Sequence, residues 1–453
     1  MTLDPFSGQI ADQNLNIPPV SKVLFVDSRV PDLHSIIAAA EPGVKIVALD
    51  ANQDGVQQMA SALNGLHNLE SIGVVSHGDE GVLLLGNGPL FAGNIAAHQA
   101  DLSAIGAALG PDGDILLYGC DVGRGDAGSQ FLAALTTATG ADVAASSDST
   151  GDTARDGDWN LEITTGQIDG APMLDGQALA GYHFLLHTAS VSTVAQLKAA
   201  IATGNTDGSA DTITLTGNIT FAAVGDAISI NVTDGQTMSI VGGGFTLSGA
   251  NLTRVLNVNS SGAGSKVAID NLTISNGFLT GNGGNAPGSN AGGDALGAGI
   301  FNAGTLTITN STITANKAAG GGGGGGATAA FYVGGGGGGG GFGSGIGGNG
   351  GTSIATGGPA TYQATTGTAG VGGHGGGGGP ITYAGKGGST TGGAGGNTGN
   401  AYYTAAGNGA TADNGSISIG GGGGGVGYDA TGGRGGNAAA AIYNTGTLAA
   451  CRA

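Results

Sequence analysis

Cysteine is nearly absent from this sequence, which has only Cys120 and Cys451 in 453 residues. So few cysteines exclude the small secreted scaffolds that depend on a disulfide framework. Basic residues are also scarce, with 12 Lys and Arg against 31 Asp and Glu. Because phosphate and anionic lipid are bound by clusters of Lys and Arg, we expect neither nucleic acid nor an anionic membrane surface as a partner.

Long apolar segments are missing as well. No apolar run reaches the ~18 residues of a membrane-spanning helix, so we expect no such segment. The first 20 residues lack the basic and apolar stretches of a secretory signal peptide. Any export route is therefore not visible in the N-terminus.

Charge and glycine are distributed unevenly along the chain. Residues 1–187 hold 23 of the 31 acids and 5 of the 12 bases, whereas 64 of the 100 glycines lie from residue 278 onward. Two bodies of different composition are therefore joined. The boundaries that we predict are an N-terminal tail over 1–20, an α/β domain over 21–187, a parallel β-helix with an N-terminal capping helix over 188–318, a Gly-rich insertion over 319–436, and a resumed β-helix rung over 437–453.

Short apolar runs alternate with amphipathic segments in the first region. Asp54, three residues before Gln57, has the spacing of a helix cap. The alternation predicts a mainly parallel sheet between two layers of helices, a three-layer α/β domain. The predicted strands are residues 22–27, 44–49, 71–76, 114–118 and 143–146, with a hairpin-like piece at 82–86 and a helix over about 126–139.

Two chemically capable residues directly follow the third and fourth predicted strands of the sheet. His77 precedes Gly78, and Cys120 follows Gly119. Ligands of such sheets bind beyond the carboxyl ends of the strands, and neighbouring strands lie about 4.8 Å apart. The pattern predicts a nucleophilic Cys120 with His77 as its base, and glycines that let substrate backbone approach. A following helix and Arg124 are expected to favour the thiolate.

A structural interpretation of both residues stays open, because Cys often serves as a small buried apolar residue and His as a turn cap. Asp148, Asp156 and Asp158 follow the fifth predicted strand. They are candidates for orienting His77 or for a pocket that accepts a basic side chain, although solvated turn residues are the favoured interpretation. Asp27 and Asp50 are interpreted as helix caps. No metal or cofactor is expected.

The segments IGVVSHG (72–78) and ILLYGCDV (115–122) resemble two motif blocks of the clan that contains caspases, gingipains and toxin autoprocessing domains. The wider stretch 22–184 resembles the bacterial family named domain of unknown function 4347, through VLFVDSRVPD, VSHGDEGVLLLG, DGDILLYGCDVGRGDAG and DVAASSDSTGD. The resemblance implies a caspase-like fold near the N-terminus of a very long surface protein. The caspase pentapeptide around the nucleophile is absent.

Short β-branched segments with Asn, Gly or Asp at their turns recur after residue 210. The repeated L-T-I-x-N pattern resembles right-handed parallel β-helix adhesins and predicts stacked coils over 211–318. An amphipathic helix over 188–204 is expected to cap the first coil. The segment at 297–308 partly returns at 437–449, which makes 319–436 an insertion between two rungs. We expect this insertion to be disordered, and the chain to be truncated or frame-shifted at AACRA.

The combined prediction is the N-terminal portion of a large secreted or cell-surface adhesin whose β-helix is a binding scaffold. Its expected partners are host or neighbouring-cell surface glycans or proteins. The alternative is a Cys–His peptidase that processes its own chain or a partner. A third possibility keeps the peptidase fold without its chemistry, as an export or anchoring module.

Overall fold

The computed structural model describes residues 20–205, 211–281, 293–319 and 438–450, together with three short strands at Ile354–Ala355, Tyr362–Gln363 and Ile417–Ile419. Among these residues, no helix combines the length and the apolar content that a bilayer span requires. The described chain forms an α/β region, residues 20–188, followed by a stack of β-strands.

A six-stranded sheet is the centre of the α/β region. Its order is β2-β1-β3-β7-β8-β9, and every pairing is parallel except that of β9. A three-stranded antiparallel sheet, β4-β5-β6, follows β3. The strands are β1 Lys22–Asp27, β2 Val44–Leu49, β3 Leu69–Val75, β4 Gly78–Asp79, β5 Val82–Leu85, β6 Gly88–Phe91, β7 Leu109–Tyr118, β8 Asp142–Ala145 and β9 Ile163–Thr164.

Four α-helices pack on this sheet: α1 Leu33–Ala38, α2 Gly55–Leu63, α3 Gln99–Ala108 and α4 Gly125–Thr139. Single 3-10 turns lie at Ile95–His98, Thr153–Arg155 and Ala178–Gly181. Side chains alternate between the two sheet faces, so that Phe25 joins the core under α2, α3 and α4, and Leu24 joins the opposite core. The opposite face is covered by α1 and by chain around Met173 and Tyr182.

The predicted strands and their parallel arrangement are confirmed, because each apolar run forms a strand within a few residues of its expected bounds. Asp54 caps α2, and its carboxylate accepts the Gln57 amide at 3.0 Å. The interpretation of Asp27 and Asp50 as helix caps is wrong. Asp32 and Asp54 are the caps of α1 and α2, while Asp27 is buried and accepts the Arg29 and Gly86 amides.

The second region is a stack of coils, called here the coil stack, over the described residues from 189 onward. One helix, α5 Val194–Gly204, and a 3-10 turn at Val224–Asp226 interrupt its strands. The strands are β10 Ala189–Val191, β11 Asp211–Leu215, β12 Ile219–Thr220, β13 Ile228–Ile230, β14 Thr237–Val241, β15 Thr246–Ser248, β16 Leu256–Val258, β17 Lys266–Asp270, β18 Thr273–Ser275, β19 Phe278–Thr280, β20 Ala295–Leu296, β21 Ile300–Asn302, β22 Thr305–Thr309, β23 Thr312–Thr314, β24 Lys317–Ala319, β25 Ile354–Ala355, β26 Tyr362–Gln363, β27 Ile417–Ile419, β28 Ala438–Ala439, β29 Ile442–Asn444 and β30 Thr447–Ala450.

Three parallel sheets of four or more strands run along the described coil stack, each taking strands from successive coils, beside the shorter parallel sheets β19-β24-β27 and β20-β28. Their orders are β10-β11-β14-β17-β22-β30, β12-β15-β18-β23 and β13-β16-β21-β29. Equivalent aliphatic residues stack in register, so that Ile213, Ile240 and Ile269 pair in sequence and are buried. The described strands of this region therefore pair in parallel from one coil to the next.

The sequence that returns near the C-terminus pairs with its earlier copy, because Ile442–Asn444 pairs with Ile300–Asn302 and Thr447 pairs with Thr305. The predicted start of the capping helix is wrong: Ala189–Val191 forms β10 and pairs with β11, and α5 begins only at Val194. The predicted disorder of 319–436 concerns residues almost wholly outside those described. Within it, Ile417–Ile419 pairs in parallel with Lys317–Ala319.

The two regions contact each other through polar and aromatic groups. The Arg29 guanidinium lies 2.8 Å from the Asp270 carboxylate, and the Asn271 side chain donates to the Asn87 carbonyl at 2.9 Å. The Phe91 and Phe245 rings lie 6.5 Å apart. These contacts join the chain after β1 and the β5–β6 hairpin to the turns after β14 and β17.

Candidate functional site

His77 and Cys120 are placed by two neighbouring strands. β3 pairs with β7, and Val75 lies opposite Tyr118 in the register of the two strands. His77 lies two residues after Val75, and Cys120 lies two residues after Tyr118. Cys120 belongs to the same buried cluster as Val75 and Tyr118. His77 and Cys120 therefore lie at neighbouring strand ends, as the strand order requires.

Gly78 and Gly119 allow the two strand ends to approach each other. A Cβ on Gly78 would lie 2.7 Å from the Cys120 carbonyl oxygen, and one on Gly119 would lie 2.8 Å from the Ser76 carbonyl oxygen. Both distances are shorter than real Cβ contacts, so any side chain would separate the two ends. In this structure the glycines bring backbone from the same domain together, whereas we expected them to admit substrate.

Residues 184–188, called here the covering segment, cross the carboxyl edge of the sheet over both candidates. Leu185 bridges to Gly151 in the antiparallel sense, and His187 bridges to Gly78 in the parallel sense. The Asp152 amide donates to the Phe184 carbonyl at 2.9 Å, and the Leu186 amide donates to the Thr150 carbonyl at 3.0 Å. The covering segment is thus an extended strand between the chain after β3 and the chain after β8.

One carbonyl oxygen of the covering segment accepts two backbone N–H groups of the candidate site. The Gly78 amide donates to the Leu186 oxygen at 2.8 Å, and the Cys120 amide donates to the same oxygen at 3.2 Å. Two backbone donors converging on one oxygen are the arrangement that stabilises an oxyanion in acyl transfer. One of these donors belongs to the candidate nucleophile itself, and the other follows the candidate base.

The Cys120 thiol is fully buried beside Thr150. The Thr150 amide donates to its sulfur at 3.1 Å, and the sulfur lies 3.5 Å from the Thr150 carbonyl oxygen. Burial raises the pKa of the Cys120 thiol to about 12, although hydrogen bonds from the Thr150 and Leu186 backbone act in the opposite direction. The covered site therefore holds a neutral thiol.

The expected activation of Cys120 by a helix N-terminus and by Arg124 is wrong. Helix α4 begins at Gly125, too far along the chain to place Cys120 in its first turn, where the dipole acts. The Arg124 guanidinium instead pairs with the Asp121 carboxylate at 2.6 Å.

His77 is buried between two backbone carbonyls. Its Nδ1 lies 3.0 Å from the His187 oxygen, and its Nε2 lies 3.4 Å from the Arg29 oxygen. Burial lowers the pKa of the imidazole, while the contacts with the Arg29 and His187 carbonyls raise it. A neutral imidazole is the form that can accept a proton.

Asp148, Asp156 and Asp158 do not contact the His77 ring nitrogens, which face the two carbonyls. Asp156 has a φ of 60° at the end of a 3-10 turn, and the Asp158 carboxylate accepts both the amide and the side chain of Asn160. Burial and the Glu162 and Asp158 carboxylates raise the pKa of Asp148. These contacts favour the turn-residue interpretation.

Asp79, Asp121 and His187 are the residues near the site that come closest to a metal-ligand set, with one ligand atom from each within 4.8 Å of the others. Asp79 already accepts the Glu80 and Ser190 amides at 2.8 and 2.7 Å, and Asp121 is paired with Arg124. The positions of the Asp79 and Asp121 carboxylates are therefore explained by their hydrogen bonds and ion pair with other protein groups.

Residues 23–186 match the family described as Domain of unknown function (DUF4347). The DUF4347 match ends at Leu186, so it includes both candidate residues and excludes the coil stack. No curated protein and no solved structure is significantly similar to the chain.

Sequence reasoning missed the covering segment and Thr150. The segment is short and lies at a domain boundary, and its partners are about 30 to 110 residues away in the chain. The signal in the sequence is the apolar stretch Phe184-Leu185-Leu186 at the end of the predicted α/β domain.

Proposed function

We propose that this chain is the N-terminal portion of a large secreted or cell-surface protein, in which a right-handed parallel β-helix is the binding scaffold. The in-register parallel pairing of equivalent strands through three sheets supports this proposal. Stacked coils of this kind provide long, regular faces whose side chains repeat from coil to coil. Surface glycans or proteins of a host or a neighbouring cell are the proposed partners.

Surface proteolysis of intact cells tests the location. Cells that express the native gene are treated with a broad-specificity protease, and the chain is followed with antibodies against the α/β region. We expect digestion without lysis, together with full protection of a cytoplasmic marker. Retention of the intact chain until lysis would contradict the surface location.

The DUF4347 region has a second proposed function as a caspase-like cysteine peptidase. The supporting observation is the pair of N–H donors, from Gly78 and Cys120, on the one Leu186 oxygen. In this proposal Cys120 is the nucleophile, His77 accepts and returns its proton, and the two amides bind the developing oxyanion.

An irreversible probe tests the peptidase proposal on the full chain. The probe is a Phe-Leu-Leu acyloxymethyl ketone, whose carboxylate leaving group is displaced by an active-site thiolate to form a thioether. In a Cys451→Ser background we expect slow labelling of Cys120 that is lost in His77→Ala. Labelling unchanged by His77→Ala, or no labelling after prolonged incubation, would contradict catalysis.

A further inference from the structure

The Leu186 peptide group lies where an acyl-transfer site holds its reacting carbonyl. Its oxygen accepts the Gly78 and Cys120 amides, and its own N–H faces the Thr150 carbonyl and the Cys120 sulfur. The chain that carries the candidate nucleophile therefore also places its own Leu186 carbonyl oxygen against the two N–H donors of Gly78 and Cys120.

Residues on the N-terminal side of Leu186 lie as an extended strand against the chain after β8. The Phe184 carbonyl accepts the Asp152 amide, and the Leu186 amide donates to the Thr150 carbonyl. Gly151, with a φ of 128°, makes this approach possible, because a Cβ there would overlap the Phe184 carbonyl oxygen. Main-chain pairing of this kind is the usual way in which an extended peptide is bound at a sheet edge.

The side chains of the covering segment differ in burial. Leu186 is completely buried and belongs to the same apolar cluster as Cys120, Tyr118 and Tyr182, whereas Phe184 is 42% exposed. The pocket beside the thiol therefore fits a leucine. It does not fit the basic side chain that Asp148, Asp156 and Asp158 were candidates to bind.

The imidazole of His77 lies on the C-terminal side of the Leu186 carbonyl. Its Nδ1 is 3.0 Å from the His187 oxygen, and the following residue, Thr188, donates its amide to the Gly78 carbonyl at 2.9 Å. The imidazole therefore contacts the residue whose amine would leave when the Leu186–His187 bond breaks.

We propose that Leu186–His187 is a self-cleavage site, so that the chain separates its own α/β region from the coil stack. This inference rests on the peptidase function proposed above. It names leucine as the residue accepted before the cleaved bond, and the chain itself as the substrate.

The reaction consumes one water molecule and needs no other reactant. The Cys120 sulfur forms a bond to the Leu186 carbonyl carbon as its proton passes to His77, and the oxyanion is held by the two amides. The bond to the His187 nitrogen then breaks, and His77 returns the proton to that amine. Water hydrolyses the resulting Leu186 thioester, which gives a carboxylate and restores the thiol.

A cleft of about 450 Å³ borders the covering segment on its outer side. The cleft is lined on the α/β side by Pro31, Arg155, His183, Phe184, Leu185 and His187. The outer side of the covering segment therefore faces solvent, while its inner side faces Cys120.

Intact mass under denaturing conditions tests the proposal on the full chain, since contacts such as Arg29–Asp270 can hold cleaved halves together. In a Cys451→Ser background we expect time-dependent conversion to fragments that end at Leu186 and begin at His187. Cys120→Ser, which retains an acceptor for the Thr150 amide, is expected to remain intact, as is His77→Ala. Leu186→Arg is expected to slow cleavage at least 100-fold, whereas the control Phe184→Arg changes it less than threefold.

Circular dichroism of each variant establishes that it is folded. An uncleaved Cys451→Ser chain in which the Phe-Leu-Leu probe still labels Cys120 would overturn the self-cleavage proposal and leave the peptidase function standing. An uncleaved chain without labelling would overturn both. Cleavage that persists in Cys120→Ser would assign the break to another agent and also overturn the proposal.

Discussion

The two regions of this chain use parallel strand pairing in different ways. In the α/β region, β3 pairs with β1 and β7 on either side, so that the edge of one sheet gathers residues from distant parts of the sequence. In the coil stack, each coil pairs with the one before and the one after it. The first arrangement concentrates His77, Cys120 and Leu186 at one place, whereas the second repeats a surface.

Buried polar groups show the same contrast. The α/β region buries ionisable residues, among them Asp27 at the end of β1, His77 just after β3 and Asp114 within β7. The coil stack buries mainly Ser, Thr and Asn, which hydrogen-bond within a coil or to the next coil. Chemistry is therefore expected from the α/β region and extended binding from the coil stack.

Core truncation is the largest expected effect and tests whether the regions unfold separately. Phe25→Ala, at a fully buried position of β1, is expected to lower the free energy of unfolding by about 3–5 kcal/mol. Ile269→Ala in β17 is expected to cost about 2–5 kcal/mol. Hydrogen exchange is expected to show each loss confined to its own region. Equal loss of protection in both regions after either substitution would show that the α/β region and the coil stack unfold together.

The ion pair between the regions gives the next effect. Arg29 donates to Ala51 and Asp270 and lies beside buried Asp27, so Arg29→Met leaves that carboxylate without its cation. Removing one partner of a fully buried pair costs about 3–5 kcal/mol, and with Arg29 16% exposed we expect about 2–3 kcal/mol in urea unfolding. The control Arg124→Met removes a guanidinium that is 58% exposed and is expected to cost below ~1 kcal/mol. Similar costs would contradict burial of the Arg29 contact.

A buried amide inside the coil stack is expected to have a smaller effect. The Asn302 side chain is fully buried and donates to the Asn444 side chain and the Thr447 carbonyl. These two hydrogen bonds join one coil to the next. Asn302→Ala is expected to lower stability by about 1–3 kcal/mol, because backbone groups lose their partners. The exposed control Asn231→Ala should cost below ~0.5 kcal/mol in the same thermal unfolding assay. An equal loss of stability in Asn302→Ala and Asn231→Ala would mean that the Asn302 side chain does not join the two coils.

The smallest expected effect is on how the free energy of unfolding depends on pH through the Cys120 thiol. Its raised pKa means that the folded chain keeps the thiol proton while the unfolded chain loses it above about 8.5. The contribution to stability is therefore complete below pH 8.5 and is lost as the pH rises toward 12. Between pH 7 and 9.5 we expect the parent chain to lose about 1 kcal/mol more than Cys120→Ser. Parallel stability curves would contradict a buried neutral thiol.

Much of the fold could be predicted because its signals are local. The apolar runs of β1, β2, β3 and β8, and the repeated segments of the coil stack, carry their structure in periods of a few residues. The proximity of His77 and Cys120 followed from strand order alone. The state of the thiol did not, because it is set by Thr150 and Leu186, which no local pattern links to Cys120. Neither Arg124 nor α4 sets that state, because the Asp121 carboxylate pairs with the guanidinium and the helix begins only at Gly125.

The rate at which Cys120 reacts with iodoacetamide tests most directly whether the covering segment closes the site. The measurement uses the full chain in a Cys451→Ser background at neutral pH, shown by intact mass to be still uncleaved, beside the same chain in denaturant. Because the sulfur is fully buried and its pKa is about 12, we expect alkylation at least ~100-fold slower in the folded chain. A rate within tenfold of that of the unfolded chain would show that Cys120 is accessible and that residues 184–188 do not cover it.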